Sequence, residues 1–242
     1  MTIVFLMSGS NKAFSDAGYL YPKNLIEING EPLVQRVISG ISEIDGQQTR
    51  VVCVLPKLEN RKFHLGQMIQ LIRPGTFISE LNGDTGGALC SALIAMPHID
   101  LNSPIVIING DVLIKYNLLS VIEDFKSRNL DGGVVCFNDV HPRWSFIKLG
   151  DDGLAVEVAE KRPISNLATA GFHYFRLGSD FLNSATQTLM KDGHVDGQFY
   201  IAPIYNQMIL GGKRIGAHNI PKECYHSFKN PQDVSRYEMS LK

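Results

Sequence analysis

The chain has 242 residues, 44% of them hydrophobic, so it is long enough to bury one large core and is predicted to form one domain. The 23 Lys and Arg residues nearly balance the 24 Asp and Glu residues, and the formal net charge is -1 at pH 7. This balance excludes a general electrostatic attraction to nucleic acid or to an anionic bilayer, so neither is predicted as a partner.

Sequence features that would indicate a membrane protein or a zinc protein are absent. The apolar run at residues 2–10 is short and reads as a buried strand, and charges, glycine or proline interrupt every later apolar stretch. The four cysteines and seven histidines show no CxxC or HExxH spacing. We therefore expect a soluble cytoplasmic protein without a zinc site.

In the first half of the chain, β-branched runs alternate with segments of helical period. This alternation predicts a parallel sheet covered by helices on both faces. The predicted elements are a strand at 3–7, a helix that Glu31 and Pro32 open and that reaches Ile41, a strand at 51–55, a helix at 62–71, a strand at 76–80, a helix at 88–95, a strand at 105–108 and a helix at 118–127. Pro32 is placed in the first turn of its helix, where the missing N–H is not needed.

From residue 132 onward the pattern changes to closely spaced strands. They are predicted at 133–138, 145–149, 155–160 and 168–176, before helices at 179–190 and 201–210 and a last strand at 214–219. The predicted fold class is therefore α/β: a Rossmann-like, mostly parallel mixed sheet with helices on both faces and an additional small antiparallel portion.

Polar clusters follow three of the predicted strands, at the edge of the sheet where ligands of open parallel sheets gather. The first comprises Ser8, Gly9, Ser10 and Lys12, with Lys23 further on; small residues let backbone N–H groups approach phosphate oxygens, and the lysines add charge. A solvated loop with two surface lysines is an equally good interpretation of this cluster. Neither GxGxxG nor the GK[ST] pattern of a P-loop is present.

The second and third clusters are a glycine-rich turn at residues 82–87 and Asp111 after the strand at 105–108. Consecutive glycines permit close approach of a base or a phosphate, although a flexible turn is the simpler interpretation. A carboxylate at a strand tip is suited to Mg²⁺, which takes one or two carboxylates together with phosphate oxygens. A helix N-cap or turn aspartate would give the same local sequence as Asp111. Glu160 and Lys161 end a later strand and either reach the same cleft or lie at a solvated strand end.

Together these segments resemble the nucleotidyltransferases that make nucleotide sugars, most of all a branch often encoded with capsule or surface-polysaccharide genes. The resemblance rests on colinear motifs across nearly the whole chain: LMSGSNKAF at 6–14, AGY at 17–19, PKNLI at 22–26, NGEPL at 29–33, TGGA at 85–88, NGD at 109–111, HPRWS at 141–145, EK at 160–161, AGFHYF at 170–175 and QFYIAP at 198–203.

The resemblance implies transfer of a nucleoside monophosphate from a triphosphate to a small phosphorylated acceptor, such as a sugar 1-phosphate. It implies a nucleotide-binding half at about 1–130, an acceptor-binding half at about 131–242, and Mg²⁺ as cofactor held by Asp111. Lys12, Lys23, Asp111 and Lys161 would be the catalytic residues. The nucleotide would lie against Leu6, Ser8, Gly9, Ser10, Thr85, Gly86 and Gly87, and the acceptor against Trp144, Ser145, Glu160, Lys161 and Gly171.

Two departures from the family pattern keep alternatives open. Asn11 and Ala13 stand where the family signature has Gly and Arg, which leaves Lys12 as a substitute for the arginine, and Ser227 stands where many relatives carry a second metal carboxylate. A catalytically impaired binding protein and a glycosyltransferase that uses a nucleotide sugar are therefore alternatives. The base, the acceptor and a possible homo-oligomeric state are not assigned by the sequence.

Overall fold

The computed structural model describes residues 1–241 and has a mixed α/β fold. Within these residues the strands are β1 Thr2–Leu6, β2 Glu27–Ile28, β3 Glu31–Pro32, β4 Arg50–Pro56, β5 Phe77–Leu81, β6 Ile105–Asn109, β7 Val112–Ile114, β8 Gly132–Asn138, β9 Ser145–Leu149, β10 Ala155–Glu160, β11 Leu167–Phe175, β12 Ile215–Asn219 and β13 Tyr225–Ser227. The α-helices are α1 Lys12–Asp16, α2 Leu33–Ser39, α3 Lys57–Phe63, α4 Leu65–Ile72, α5 Ala88–Leu93, α6 Leu118–Ser127, α7 Gly178–Met190, α8 Tyr205–Leu210 and α9 Pro231–Ser240.

One nine-stranded sheet organises the molecule, in the order β10-β9-β11-β6-β1-β4-β5, with β8 paired to β11 and β12 paired to β8. Strands β6, β1, β4 and β5 are mutually parallel, whereas β11 joins them antiparallel to β6. Two short ribbons, β2–β3 and β7–β13, lie outside this sheet. The predicted fold class is confirmed, although most of the antiparallel strands extend the main sheet and do not form a separate portion.

Both faces of the central strands are buried, which explains their continuous apolar sequences. In β1, Ile3 and Phe5 face a core formed with α2, α4, α6 and α9, while Val4 and Leu6 face a second core formed with α5, α7 and α8. Among residues 1–241, no helix has the length and apolar character needed to cross a membrane.

The helix predicted at 62–71 is in fact two helices, α3 and α4. His64 between them has a left-handed backbone with φ 55°, and the Asn60 side chain accepts a hydrogen bond from Gly66 N at 2.7 Å. Since this side chain satisfies an amide that a continuous helix would bond to its own backbone, the chain turns between the two helices.

Pro32 lies before its helix and not in the first turn, which corrects the predicted start of α2. Its ψ of 142° is extended, and β2 and β3 form a hairpin around Asn29 and Gly30, with φ values of 49° and 77°. An Asn-Gly pair with two positive φ angles is the preferred two-residue hairpin turn. The predictions also missed α1, α9 and the ribbon of β7 and β13.

Candidate active site

The Lys23–Asp111 ion pair lies where β1 and β6 end. Only Gly110 separates Asp111 from the end of β6. Lys23 belongs to the short 3-10 helix Lys23–Leu25. Lys23 Nζ is 2.7 Å from Asp111 Oδ2, and their side chains are 5% and 14% exposed. Gly9 lies directly above the pair, because a Cβ at this position would be only 2.6 Å from Lys23 Nζ.

The charges around Asp111 favour its ionised form. Burial alone would raise the pKa of this carboxyl group, but the nearby ammonium groups of Lys23 and then Lys229 outweigh burial, so the pKa is lowered. A backbone hydrogen bond from Phe228 N to Asp111 O, at 2.8 Å, joins the strand tip to the C-terminal segment. The site therefore presents a buried carboxylate held in place from two sides.

A cavity of about 750 Å³ opens beside Asp111, a size typical of small-molecule sites. One side of it is formed by the loops after β1 and β5, and the predicted residues found there are Leu6, Ser8, Gly9, Ser10, Thr85 and Gly87. Hydroxyl groups connect these loops, since Thr85 Oγ1 is 2.8 Å from Ser91 Oγ and Ser8 Oγ donates to Ser91 Oγ at 3.4 Å.

The glycine turn of this side is fixed by the backbone of Phe199. Phe199 N donates to Gly86 O at 2.7 Å, and Leu89 N donates to Phe199 O at 3.0 Å. Gly87 has φ 125°, and a Cβ there would be 2.5 Å from Phe199 O. Only glycine fits this close approach, so the turn has a fixed conformation and forms part of the cavity wall.

The opposite side of the cavity carries the predicted residues Trp144, Ser145, Glu160 and Gly171. The Ser145 hydroxyl donates a hydrogen bond to Glu160 Oε2. Burial raises the pKa of Glu160, and this hydrogen bond and the charge of Lys229 only partly oppose the rise. This side thus combines one indole ring with one carboxylate, a combination suited to a small polar ligand.

A sequence comparison with known protein families matches most of the chain, including both sides of this cavity. The family model described as nucleotidyl transferase matches residues 4–198. The chain belongs to the nucleotidyl transferase family.

One curated protein and two solved structures illustrate the similarity, each at 22% sequence identity or less. The bifunctional protein GlmU of Methanococcus aeolicus is 22% identical over 215 residues, and the match covers 81% of this chain and 49% of that protein. The chain therefore spans about half the length of this curated relative.

Two solved structures share the fold. A nucleoside-diphosphate-sugar pyrophosphorylase from Vibrio cholerae superposes with a TM-score of 0.86 at 22% identity, covering 99% of this chain and 100% of that chain. A Bacillus anthracis protein, provisionally assigned as a glucose-1-phosphate thymidylyltransferase and solved with sucrose, gives a TM-score of 0.75 at 15% identity, covering 99% and 94%. At these identities the superpositions establish the fold.

Four of the predicted site residues lie outside the cavity lining. Lys23 is beneath it, paired with Asp111, and Gly86 is behind the turn against Phe199. Lys12 is exposed at the start of α1, and the Lys161 ammonium group bonds Asp196 at 3.0 Å. Lys23 contacts the lining residue Asp111, and Gly86 lies in the chain between the lining residues Thr85 and Gly87. Lys12 and Lys161 point to solvent or to other partners.

Sequence reasoning missed several lining residues, among them Arg143, His173, Tyr200 and Lys229. Arg143, His173 and Tyr200 lie within motifs that carry the family resemblance, but nothing in the sequence pattern indicated that they are site residues. His173 Nδ1 is buried and lacks a hydrogen-bond partner in the described part of the chain, and burial lowers its pKa to about 3. This histidine is therefore neutral at physiological pH.

The departures from the family signature have structural roles. Asn11 Oδ1 accepts a hydrogen bond from Lys23 N at 3.0 Å, and its amide group donates to Glu59, so Asn11 positions the backbone of Lys23. Ser227 Oγ donates to Asp233 Oδ2 at 3.4 Å. Within residues 1–241 no group of three or more His, Cys, Asp or Glu side chains is arranged to hold a metal.

Proposed function

We propose that this protein transfers a nucleoside monophosphate from a nucleoside triphosphate to a small phosphorylated acceptor, with a sugar 1-phosphate as the first candidate. The observation that carries the proposal is the single cavity beside the Lys23–Asp111 pair, with glycine-rich loops on one side and Trp144 and Glu160 on the other. Two ligands placed on these two sides would meet at Asp111. The similarity to proteins described as pyrophosphorylase, thymidylyltransferase and GlmU supports the same substrate class.

In this proposal the loops at residues 8–10 and 85–87 hold the triphosphate, and Glu160 holds acceptor hydroxyl groups. An acceptor phosphate oxygen attacks the α-phosphorus, the new P–O bond forms, and the bond to the β-phosphate breaks to release pyrophosphate. A phosphate monoester dianion is already nucleophilic, so no general base is needed. The task of the protein is to position two anions and to neutralise charge, which lysines and backbone amides perform.

Mg²⁺ fits the groups at Asp111. This ion prefers one or two carboxylates completed by water and substrate phosphates, and Asp111 offers one ionised carboxylate at the cavity. When bound, Mg²⁺ supplies charge neutralisation for the phosphates and the leaving pyrophosphate. Lys23, whose ammonium group lies 2.7 Å from Asp111, is proposed to contact the same phosphates. Ser227 supplies no second carboxylate, so we infer a metal site that the substrate completes.

Three further features belong to the proposal and follow the family resemblance. The nucleotide is assigned to the half at about 1–130 and the acceptor to the half at about 131–242. The protein is proposed to act in the cytoplasm, where triphosphates and Mg²⁺ are plentiful. A homo-oligomer is compatible with the proposal.

The test is a pyrophosphate-release assay with a mixture of triphosphates, Mg²⁺ and a panel of phosphorylated sugars. We expect release that requires triphosphate, acceptor and metal together and stops when the metal is chelated. Binding of triphosphate, measured as a thermal shift, without any release would favour the impaired binding protein. Release of a free nucleoside diphosphate from a nucleotide sugar would favour the glycosyltransferase.

A further inference from the structure

The side chain of Lys161 already interacts with other side chains of the protein. Its ammonium group bonds Asp196 at 3.0 Å and lies 5.3 Å from the centre of the Tyr200 ring. The Tyr200 hydroxyl and the Asp196 carboxylate raise the pKa of Lys161. An acceptor phosphate bound by Lys161 would have to displace a carboxylate of the protein itself, so this lysine is a poor anchor for it.

Arg143 and Lys229 lie on the cavity side instead. The Arg143 guanidinium group is 4.1 Å from the centre of the Trp144 ring, and Lys229 Nζ is 5.5 Å from it. Both residues line the cavity, and neither has a carboxylate within salt-bridge distance in the described part of the chain. Two cations beside one aromatic ring, neither of them in a salt bridge within the described residues, form a site for an anion.

Lys229 also lines the same cavity as the two carboxylates Asp111 and Glu160. Its charge contributes to the lowered pKa of Asp111 and opposes the effect of burial on Glu160. An anion bound at Lys229 is therefore close both to the carboxylate proposed to hold the metal and to the one proposed to hold acceptor hydroxyl groups. In the proposed transfer, the attacking phosphate has to be held near both of these groups.

We propose that Arg143 and Lys229 bind the phosphate of the acceptor, and that Lys161 does not. The inference rests on the proposed function and specifies its acceptor site. It also selects the acceptor class, because the ring of Trp144 already carries two cations of the protein itself. A quaternary ammonium group of the acceptor would be repelled by these two cations, so the acceptor presents its phosphate on this side of the cavity.

The test uses Trp144, the only tryptophan of the chain, as a fluorescent reporter. Inorganic phosphate is titrated at constant ionic strength into the wild type and four variants: Arg143→Met, Lys229→Met, Lys161→Met and Lys148→Met. Lys148 is an exposed lysine of β9 and serves as the matched control. Line broadening of the ³¹P signal of phosphate gives a second measure of affinity that does not depend on the indole.

We expect saturable binding in the wild type, a roughly tenfold loss of affinity in Arg143→Met and in Lys229→Met, and less than a twofold change in the other two variants. Absence of saturable binding in the wild type overturns the proposal. A tenfold loss in Lys161→Met with normal affinity in Lys229→Met overturns it as well.

The proposed function can fail separately. A chain that binds phosphate in the expected pattern but releases no pyrophosphate with any substrate keeps the anion site and loses the transferase activity. A chain that releases pyrophosphate, with the acceptor KM unchanged in Lys229→Met and Arg143→Met, keeps the activity and loses the anion site proposed here.

Discussion

At the scale of single residues, the site depends on how buried charges are paired. Lys23 and Asp111 neutralise each other in a place where neither is well hydrated, and Lys229 adds a second positive charge nearby. Breaking a buried ion pair by removing one partner is strongly destabilising, because the remaining charge stays buried without compensation. The pair therefore affects folding as well as the chemistry proposed for it.

A double-mutant cycle on this pair should show strong coupling. We expect Lys23→Met to lower the free energy of unfolding by about 3 kcal/mol at pH 7, and the double variant Lys23→Met/Asp111→Asn to lose clearly less than the sum of the single changes. Urea unfolding measures both quantities. Additive losses would mean that the two charges do not depend on each other.

The pH dependence of this pair follows from the lowered pKa of Asp111. A carboxyl group whose pKa is lower in the folded state stabilises the fold above its ordinary pKa of 3.8, and this stabilisation is lost as pH falls through the folded value. Physiological pH therefore lies in the range where the pair contributes fully.

His173 adds a second loss of stability in acid, at a milder pH than Asp111. Burial lowers the pKa of His173 from 6.5 to about 3, so the unfolded chain takes up a proton that the folded chain refuses. Stability is then lost as pH falls below about 6.5, by about 2 kcal/mol between pH 7 and pH 5. We expect urea unfolding of His173→Gln to lack this part of the acid loss, while His141→Gln, at an exposed position, retains it. Equal slopes in both variants would contradict the assignment.

At the scale of elements, the Gly86–Gly87 turn connects the loop after β5 to the segment that contains Phe199. Gly86 O accepts a hydrogen bond from Phe199 N, and Leu89 N donates one to Phe199 O. These two bonds hold together parts of the chain that are far apart in sequence. This part of the cavity wall is therefore held in place by main-chain hydrogen bonds.

Gly87→Ala should disrupt this wall, because the added Cβ would meet backbone atoms of Phe199 at 2.5 and 2.7 Å. We expect a loss of at least about 2 kcal/mol in stability and about tenfold weaker triphosphate binding. Gly83→Ala is the matched control, since Gly83 also has a positive φ of 83° but has open space around it. Calorimetric titration and urea unfolding compare the two; equal effects would show that contact with Phe199 is unimportant.

The elements show what the sequence determines locally. Residues 118–127 were predicted with the observed bounds of α6, because an apolar face of helical period is complete within the segment and Asn117 caps it. Likewise the uninterrupted apolar runs of β1 and β6 identified the central strands, and in the structure Lys23 and Asp111 come together beyond the ends of these strands. The Asn29-Gly30 pair is also a local hairpin signal. The helical period after Pro32 instead led to the prediction of a helix that Glu31 and Pro32 open.

Other features depend on contacts between distant segments and had no local signal. The break at His64 is stabilised by the Asn60 side chain, and β7 exists because β13 pairs with it more than a hundred residues later. Lys229 reaches the cavity through this same C-terminal segment, where the family motif is not retained. For the same reason, no pattern in the sequence indicated that Asp196 would engage Lys161.

At the scale of the whole molecule, the cavity is shared between the first and second halves of the chain. Strand β11 joins the antiparallel part of the sheet to β6, and this pairing brings Trp144 and Glu160 across from Asp111. In the proposed reaction both ligands lie around this one carboxylate, as is required for joining two phosphorylated compounds.

Pyrophosphate release by Asp111→Asn, compared with the wild type under saturating triphosphate, Mg²⁺ and acceptor, tests this arrangement most directly. We expect the rate to fall by about a hundredfold or more, because the amide cannot neutralise the metal or hold it against the phosphates. Asp151→Asn, the same change at an exposed turn, should retain the wild-type rate. A rate in Asp111→Asn within a few-fold of the wild type would contradict the proposed role of the carboxylate at the centre of the cavity.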